Sequence, residues 1–308
     1  MDDGLWSVVY LNHRDSKGAA MKAAFLHGVG DLRVEDVDRP TFSADDEVLI
    51  RIRTCGICPS DLRAYTGLRS PHRSQPYTPG HEWTGEVMDA GDAVEGFAAG
   101  DRVVPSWRVM CGTCYYCIRG RHNFCENLRR GAVRGGFAEY GVASAKALLK
   151  IPDGVSYTKA CFCEPLACCI NGSLDSDIRF GDYAVIVGAG PIGLTHLQLA
   201  KHSGAQVAVS DLNAERLKKA EELEADALID ASREDALERV QALTGGYGAD
   251  VVIAAVGAPG ALQQALDMVG DCGTVNFFAG TYPPATLEID PNFIKILGLE
   301  TTFALRRG

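Results

Sequence analysis

Four of the chain's eleven cysteines stand at Cys111, Cys114, Cys117 and Cys125. The spacing C-x2-C-x2-C-x7-C, with Gly112 and Gly120 for flexibility, gathers four soft sulfur ligands on one short knuckle. Such a set suits tetrahedral zinc in a closed structural site, with no position left for chemistry. An iron–sulfur cluster is the competing metal. His122, inside the loop, is expected to face solvent.

A second set is scattered. Cys58 lies in Gly56-Ile57-Cys58-Pro59-Ser60-Asp61, His81 and Glu82 follow Gly80, and Glu164 lies in Cys163-Glu164-Pro165-Leu166-Ala167. One thiolate, one imidazole and carboxylates from separate segments suit an open zinc site acting as a Lewis acid. On spacing alone the signal is weak. A lone His81 reads as a hydrogen-bonded turn residue, and a lone Cys58 as a small buried side chain.

The third constellation is continuous. An apolar run, Tyr183 to Val187, leads into Gly188-Ala189-Gly190-Pro191-Ile192-Gly193. A helical pattern follows with Gly204 at its end, then a second apolar run ending in Asp211, eighteen residues past Gly193. Strand, G-x-G-x-x-G turn, helix, strand and terminal acid in this order point to a dinucleotide site. Gly188 permits the tight turn, Gly190 lets a pyrophosphate approach, and Gly193 lets helix and strand pack closely. The helix N-terminus faces the phosphates. Asp211 can accept from a ribose diol and would repel a 2′-phosphate, so NAD is expected over NADP. Arg216, Val256 and Gly280 complete the expected cofactor contacts. At Val256-Gly257 and Ala279-Gly280, which follow later strands, a plain loop reading stands equally.

These groups need a scaffold, and the chain has length for about two domains. From Met21 to about Lys150, short strands alternate with Gly and Pro turns: Ala24–Leu26, Glu47–Ile52, Glu86–Met88 and Arg102–Val104. That texture reads as a β-rich, partly closed barrel. From about Asp175, strands alternate with helices. Strands are expected at Tyr183–Val187, Gln206–Ser210, Ala227–Ile229, Asp250–Ala254, Thr274–Phe278 and Glu300–Ala304. Helices are expected at Ala214–Leu223, Arg233–Leu243 and Gly260–Val269. The pattern implies a doubly wound parallel sheet. His196 and His202, on its first helix, are expected to face solvent.

Net charge of −10 argues against nucleic acid or an anionic membrane as partner. No apolar run approaches the roughly 20 residues of a membrane span. Residues 1–20 are charged and lack a secretory core, and Met21 looks like a natural start, so they read as an N-terminal extension. Clustered cysteines without an export signal suggest metal binding in a reducing cytoplasm.

Taken together, the cysteine lobe, the Cys58/His81/Glu164 set and the nucleotide-binding half resemble the zinc-dependent medium-chain dehydrogenase/reductase family, from Met21 to about Ala304. The resemblance implies a GroES-like β-barrel catalytic domain over 21–174 and a Rossmann NAD-binding domain over 175–308, with the active site between them. It implies one catalytic and one structural zinc. Cys58 and His81 then become zinc ligands, Glu82 a ligand or near neighbour, and Glu164 a glutamate binding zinc directly or through water. Ser60 matches the hydroxyl beside the substrate oxygen, and Asp61 the carboxylate that orients the histidine ligand. Glu-Pro-Leu together with Gly-Ala-Gly-Pro-Ile-Gly looks most like the sorbitol dehydrogenase-like branch. The implied reaction is hydride transfer from a secondary alcohol, a polyol or sugar derivative, to NAD, in a dimer or tetramer.

The chain departs from the family at four places. Pro59 replaces a glycine and is expected to stiffen its turn. Arg63 stands where many members carry a proton-relay histidine. It cannot accept a proton, but can meet an anionic group on cofactor or substrate. Cys55 is an extra thiol, read as structural or as a substitute for Cys58. The chain also stops at Gly308, several dozen residues earlier than expected, which reads as a truncated C-terminus. The competing functions are a threonine or simple-alcohol dehydrogenase, a zinc-independent quinone reductase on the same fold, and a non-catalytic truncated relative.

Overall fold

A computed structural model describes residues 20–68, 76–106, 109–127, 135–281 and 286–288, without the Asn123 side chain. The chain divides into two compact units between Glu164 and Pro165.

In the first unit, β1 (Ala20–Gly28) and β2 (Asp31–Asp38) form an antiparallel hairpin. Next come β3 (Glu47–Gly56), α1 (Pro59–Thr66), β4 (Glu82–Ala90), β5 (Arg102–Pro105), β6 (Tyr140–Ser144), β7 (Leu148–Lys150) and α2 (Tyr157–Cys161). Five of these strands make an antiparallel sheet in the order β6-β3-β4-β5-β7. Val48, Ile50, Trp83, Val87 and Val103 form its core. The long β3–β4 pairing sets Gly56 opposite Glu82 and Cys55 opposite Trp83. It thereby brings the Cys58 turn, just after β3, to the His81-Glu82 start of β4.

Helix α1 was not expected from the sequence. Cys58 is its N-cap and Pro59 occupies the first helical position, where proline's missing N–H loses nothing and its fixed φ suits the helix. The stiffening expected of Pro59 therefore acts on a helix start. Polar β2 was not anticipated either. Among the described residues it pairs only with β1, and its side chains are largely exposed.

Helix α3 (Cys163–Asp175) leads into the second unit. There β8 (Tyr183–Val187), α4 (Pro191–His202), β9 (Gln206–Asp211), α5 (Ala214–Glu222), β10 (Ala227–Asp230), α6 (Ala236–Leu243), β11 (Ala249–Ala254), α7 (Pro259–Met268) and β12 (Val269–Phe277) alternate. The strands form a parallel sheet in the order β10-β9-β8-β11-β12. Alternate residues of β8 serve opposite faces. Ala184 and Ile186 pack with Leu197, Ala200, Leu217 and Ala220 of α4 and α5. Val185 and Val187 pack with Val240, Leu262, Ala265 and Leu266 of α6 and α7. Helices on both faces explain why β8 reads as an unbroken apolar run.

The expected helix at Arg233 begins only at Ala236, because Asp235 caps it by accepting the N–H groups of Leu237 (2.8 Å) and Glu238 (3.1 Å). Gly204 follows the α4 cap with φ of 85°, left-handed backbone that glycine adopts without strain. The expected strand Glu300–Ala304 lies outside the described residues, as do Trp6 and Trp107. Among the described residues, no helix is long and apolar enough to cross a membrane.

His196 is the clear correction. It is 0% exposed, not solvent-facing. Its Nδ1 lies 3.1 Å from Ser173 Oγ, and its ring meets Phe278 edge-on at 4.5 Å. Ser173 and Phe278 cover the part of α4 that carries His196, so a polar residue there did not mark solvent. His202 and His122 are exposed.

Candidate metal and nucleotide sites

Cys58, at the N-cap of α1, accepts the Ser60 N–H on its sulfur at 3.5 Å. Asp61, one turn in, accepts the Cys58 N–H at 3.1 Å on Oδ2. Its other oxygen accepts the Gly80 N–H at 3.3 Å and lies 3.7 Å from His81 Nδ1. The helix start and the imidazole thus both face one carboxylate. Donor atoms of Cys58, His81 and Glu82 all lie within 4.8 Å of one another.

The electrostatics are those of a crowded, half-buried anionic site. Burial alone would lower the His81 pKa, but the Cys58 thiol and the charges of Asp61 and Glu164 hold it up, to about 9. Burial raises the Glu82 pKa, with Glu164 adding to the rise and His81 opposing it. A cation placed here would relieve the mutual repulsion of these acids. Glu164, the second residue of α3, acts on His81 and Glu82 through its charge but does not join the three-donor cluster. Ser60 stands one residue past Pro59 in the first turn of α1, and half-buried Arg63 follows in the last. Cys55 is pushed up to about 12, chiefly by burial, and is also outside the cluster.

The lobe sulfurs of Cys111, Cys114, Cys117 and Cys125 also lie within 4.8 Å of one another. Cys125–Cys111 measures 3.6 Å and Cys111–Cys117 3.9 Å. Zinc–sulfur bonds of about 2.3 Å imply a tetrahedron with edges of about 3.8 Å, so these sulfurs fit zinc with little movement. Backbone N–H groups of Thr113 and Cys114 lower the Cys111 pKa to about 5, which favours the thiolate a metal needs. All eleven cysteines are outside disulfides.

In the second unit the glycine turn does three separate jobs. Gly188 has φ of 102°. A Cβ on Gly193 would stand 1.8 Å from the Gly188 carbonyl oxygen, so nothing larger fits beneath the turn. A Cβ on Gly190 would meet no protein atom within 4 Å. That open side lies at the N-cap of α4, which has no side-chain cap and keeps its N–H groups for an anion. Asp211 accepts from Ala189 N–H (2.7 Å) and Asn213 N–H (2.8 Å). Arg216 Nη1 lies 3.9 Å from it. Val256 stands beside Gly188, and Gly257 against the Gly280 carbonyl, at the carboxyl ends of β11 and β12. The sequence reading missed the Asp211–Ala189 bond, for which no sequence signal exists.

Two family descriptions match the chain: the alcohol dehydrogenase GroES-like domain over residues 44–153, and the zinc-binding dehydrogenase over residues 191–304. A sorbitol dehydrogenase of Halalkalibacterium halodurans is 38% identical, across 89% of this chain and 80% of its own. An L-threonine 3-dehydrogenase of Pyrococcus abyssi is 35% identical, across 93% and 82%. Among solved structures, a zinc-binding dehydrogenase from Sinorhizobium meliloti bound to NADP superposes with a TM-score of 0.82 at 35% identity, covering 91% of this chain and 82% of that one.

Proposed function

This chain belongs to the zinc-dependent alcohol dehydrogenase family, and we propose that it oxidises a secondary hydroxyl of a polyol or sugar-derived alcohol, with NAD as hydride acceptor. The observation that carries the reading is the meeting of Cys58, His81 and Glu82 donor atoms within 4.8 Å. One thiolate, one imidazole and one carboxylate are three ligands, which leaves the open position a catalytic zinc requires. Glu164 is the candidate for a fourth, water-linked contact. The four lobe cysteines hold a second, closed zinc.

When bound, zinc supplies the Lewis acidity that lowers the pKa of a substrate hydroxyl, and NAD accepts the hydride. The chain's residues do the positioning. Asp61 fixes the His81 ring and the Cys58 backbone together. Ser60 takes the substrate proton and passes it toward solvent. Arg63 stays protonated and takes no part in that transfer. The uncapped start of α4 and the bare Gly190 hold the pyrophosphate, with Gly188, Pro191, Ile192 and Gly193 shaping the turn. Asp211 accepts from the ribose, with Arg216, Val256 and Gly280 around the cofactor. The carboxylate disfavours a 2′-phosphate, so NAD is preferred here although the Sinorhizobium meliloti relative was crystallised with NADP.

A catalytic domain over 21–174, a coenzyme domain over 175–308, assembly as a dimer or tetramer, and a cytoplasmic location complete the reading. Free thiols throughout support the last. Zinc content per chain, measured alongside NAD reduction by sorbitol, erythritol, butanediol and threonine, tests the proposal. Two zincs with polyol-dependent turnover are expected. One zinc and no turnover with any alcohol would leave only the cysteine lobe and defeat it.

A further inference from the structure

Away from the Cys58 cluster, three arginines of the first unit line one cavity. Arg51 and Arg53 are two residues apart on β3, and both are exposed on the same cavity. With Arg39, just past β2, they line a cavity of about 300 Å³, together with Ala20, Glu139 and Tyr140. Glu139 is the one carboxylate in that lining, and it already accepts the Lys22 N–H at 2.8 Å. Arg53 is held by Glu86 at 2.5 and 3.2 Å. Arg39 lies over the Tyr140 ring at 4.0 Å, and its Nε is buried with no acceptor among the described residues. Among the described residues, neither Arg39 nor Arg51 forms an ion pair. The net charge of −10 means that this cavity is not one patch of a generally basic surface.

A buried charged N–H without an acceptor among the described residues is matched by an acceptor on a bound anion. Guanidinium forks match tetrahedral oxyanions, which present acceptors in several directions. A neighbouring cavity of about 370 Å³ shares Ile52, Arg53 and Glu139 with the first. Ala23, Ala24, Val34 and Phe137 wall it. An anion seated among the arginines therefore has apolar room beside it for an attached carbon skeleton.

We propose that this cavity binds a phosphate-bearing small molecule, anchored by Arg39, Arg51 and Arg53. The site is independent of the metal cluster, and it stands whether or not the polyol reading is correct.

The test titrates the zinc-loaded protein with inorganic phosphate at constant ionic strength. Saturating NAD is present, so that the start of α4 is occupied. Melting temperature and calorimetric heat are followed. A saturable rise in melting temperature is expected. Arg39→Gln and Arg51→Gln should each weaken phosphate about tenfold, the loss of one charge-assisted contact. Lys218→Gln, which removes an equal charge from α5, should not. Arg39→Gln also removes packing on Tyr140, so exposed Arg51 carries the test if the Arg39 variant fails to fold. An unchanged phosphate affinity in Arg51→Gln overturns the proposal. So does a non-saturating response that chloride reproduces.

Discussion

Asp61 accepts the backbone N–H of Cys58 at 3.1 Å, so the residue that begins α1 is held by a residue inside its first turn. The same carboxylate reaches Gly80 N–H and approaches His81. A candidate ligand of the first segment and a candidate ligand of the second share one anchor, through two different kinds of contact.

That double duty can be separated. Asp61→Asn keeps a short polar acceptor at the helix start but removes the charge facing His81. It is expected to reduce zinc affinity or turnover roughly 10- to 100-fold with little loss of stability. Asp61→Ala should lose a further ~1 kcal/mol of stability. Zinc analysis, kinetics and urea unfolding read the three quantities. Wild-type zinc occupancy and turnover in Asp61→Asn would remove its orienting role.

Cys58→Ser tests the thiol without breaking the helix, because serine is a favoured N-cap. Zinc is expected to fall from two per chain to one, with turnover abolished and NAD affinity retained. Cys114→Ser is expected instead to lower the melting temperature along with metal content, since among the described residues the core of the lobe is its cysteines and Tyr116. Loss of NAD binding in Cys58→Ser, measured by fluorescence titration, would count against the assignment.

Gly190→Ala and Gly193→Ala make a matched pair. At Gly193 the new methyl would lie 1.8 Å from the Gly188 oxygen, so the turn must move. Destabilisation of about 1–3 kcal/mol is expected, with NAD binding lost too. At Gly190 the methyl meets no protein atom within 4 Å. Stability should hold while NAD affinity falls more than about tenfold, because the cofactor's space is filled. Equal loss of stability in both variants would sink the distinction.

His196 should shape the acid limb of stability. Burial lowers its pKa from 6.5 to about 4 in the folded state. The unfolded chain therefore binds the proton at a higher pH than the folded one. Stability from this residue is full above pH 6.5, declines as pH drops to about 4, and levels off below. The decline amounts to at most about 3 kcal/mol. Urea unfolding of His196→Gln across this range should give a flatter profile than wild type. An identical slope would show that His196 does not contribute.

The sequence made the second unit legible because its strands are covered on both faces. Tyr183–Val187 and Val251–Ala254 had to be apolar without interruption, and the structure has strands there. The cysteine lobe was legible because its donors are local. The Cys58 site was harder. Cysteine is not a usual N-cap, so α1 was hidden behind what read as a turn stiffened by Pro59. The meeting of Cys58 with Glu82 depends on β3–β4 register, which no local pattern encodes. His196 was misread for a related reason: its partners, Ser173 and Phe278, come from distant segments.

The two candidate metal sites differ in how much chain each must wait for. The lobe closes between Cys111 and Cys125 through turns and short helical pieces of its own. During synthesis it can capture its ion as soon as that stretch emerges, at the low entropy of a short loop. The Cys58 set needs β3 and β4 already zipped to bring Gly56 against Glu82. Limiting zinc in a refolding experiment should therefore fill the lobe first, giving chains that are metallated and folded in part but inactive. The catalytic ion would arrive last, as the seal on a finished sheet.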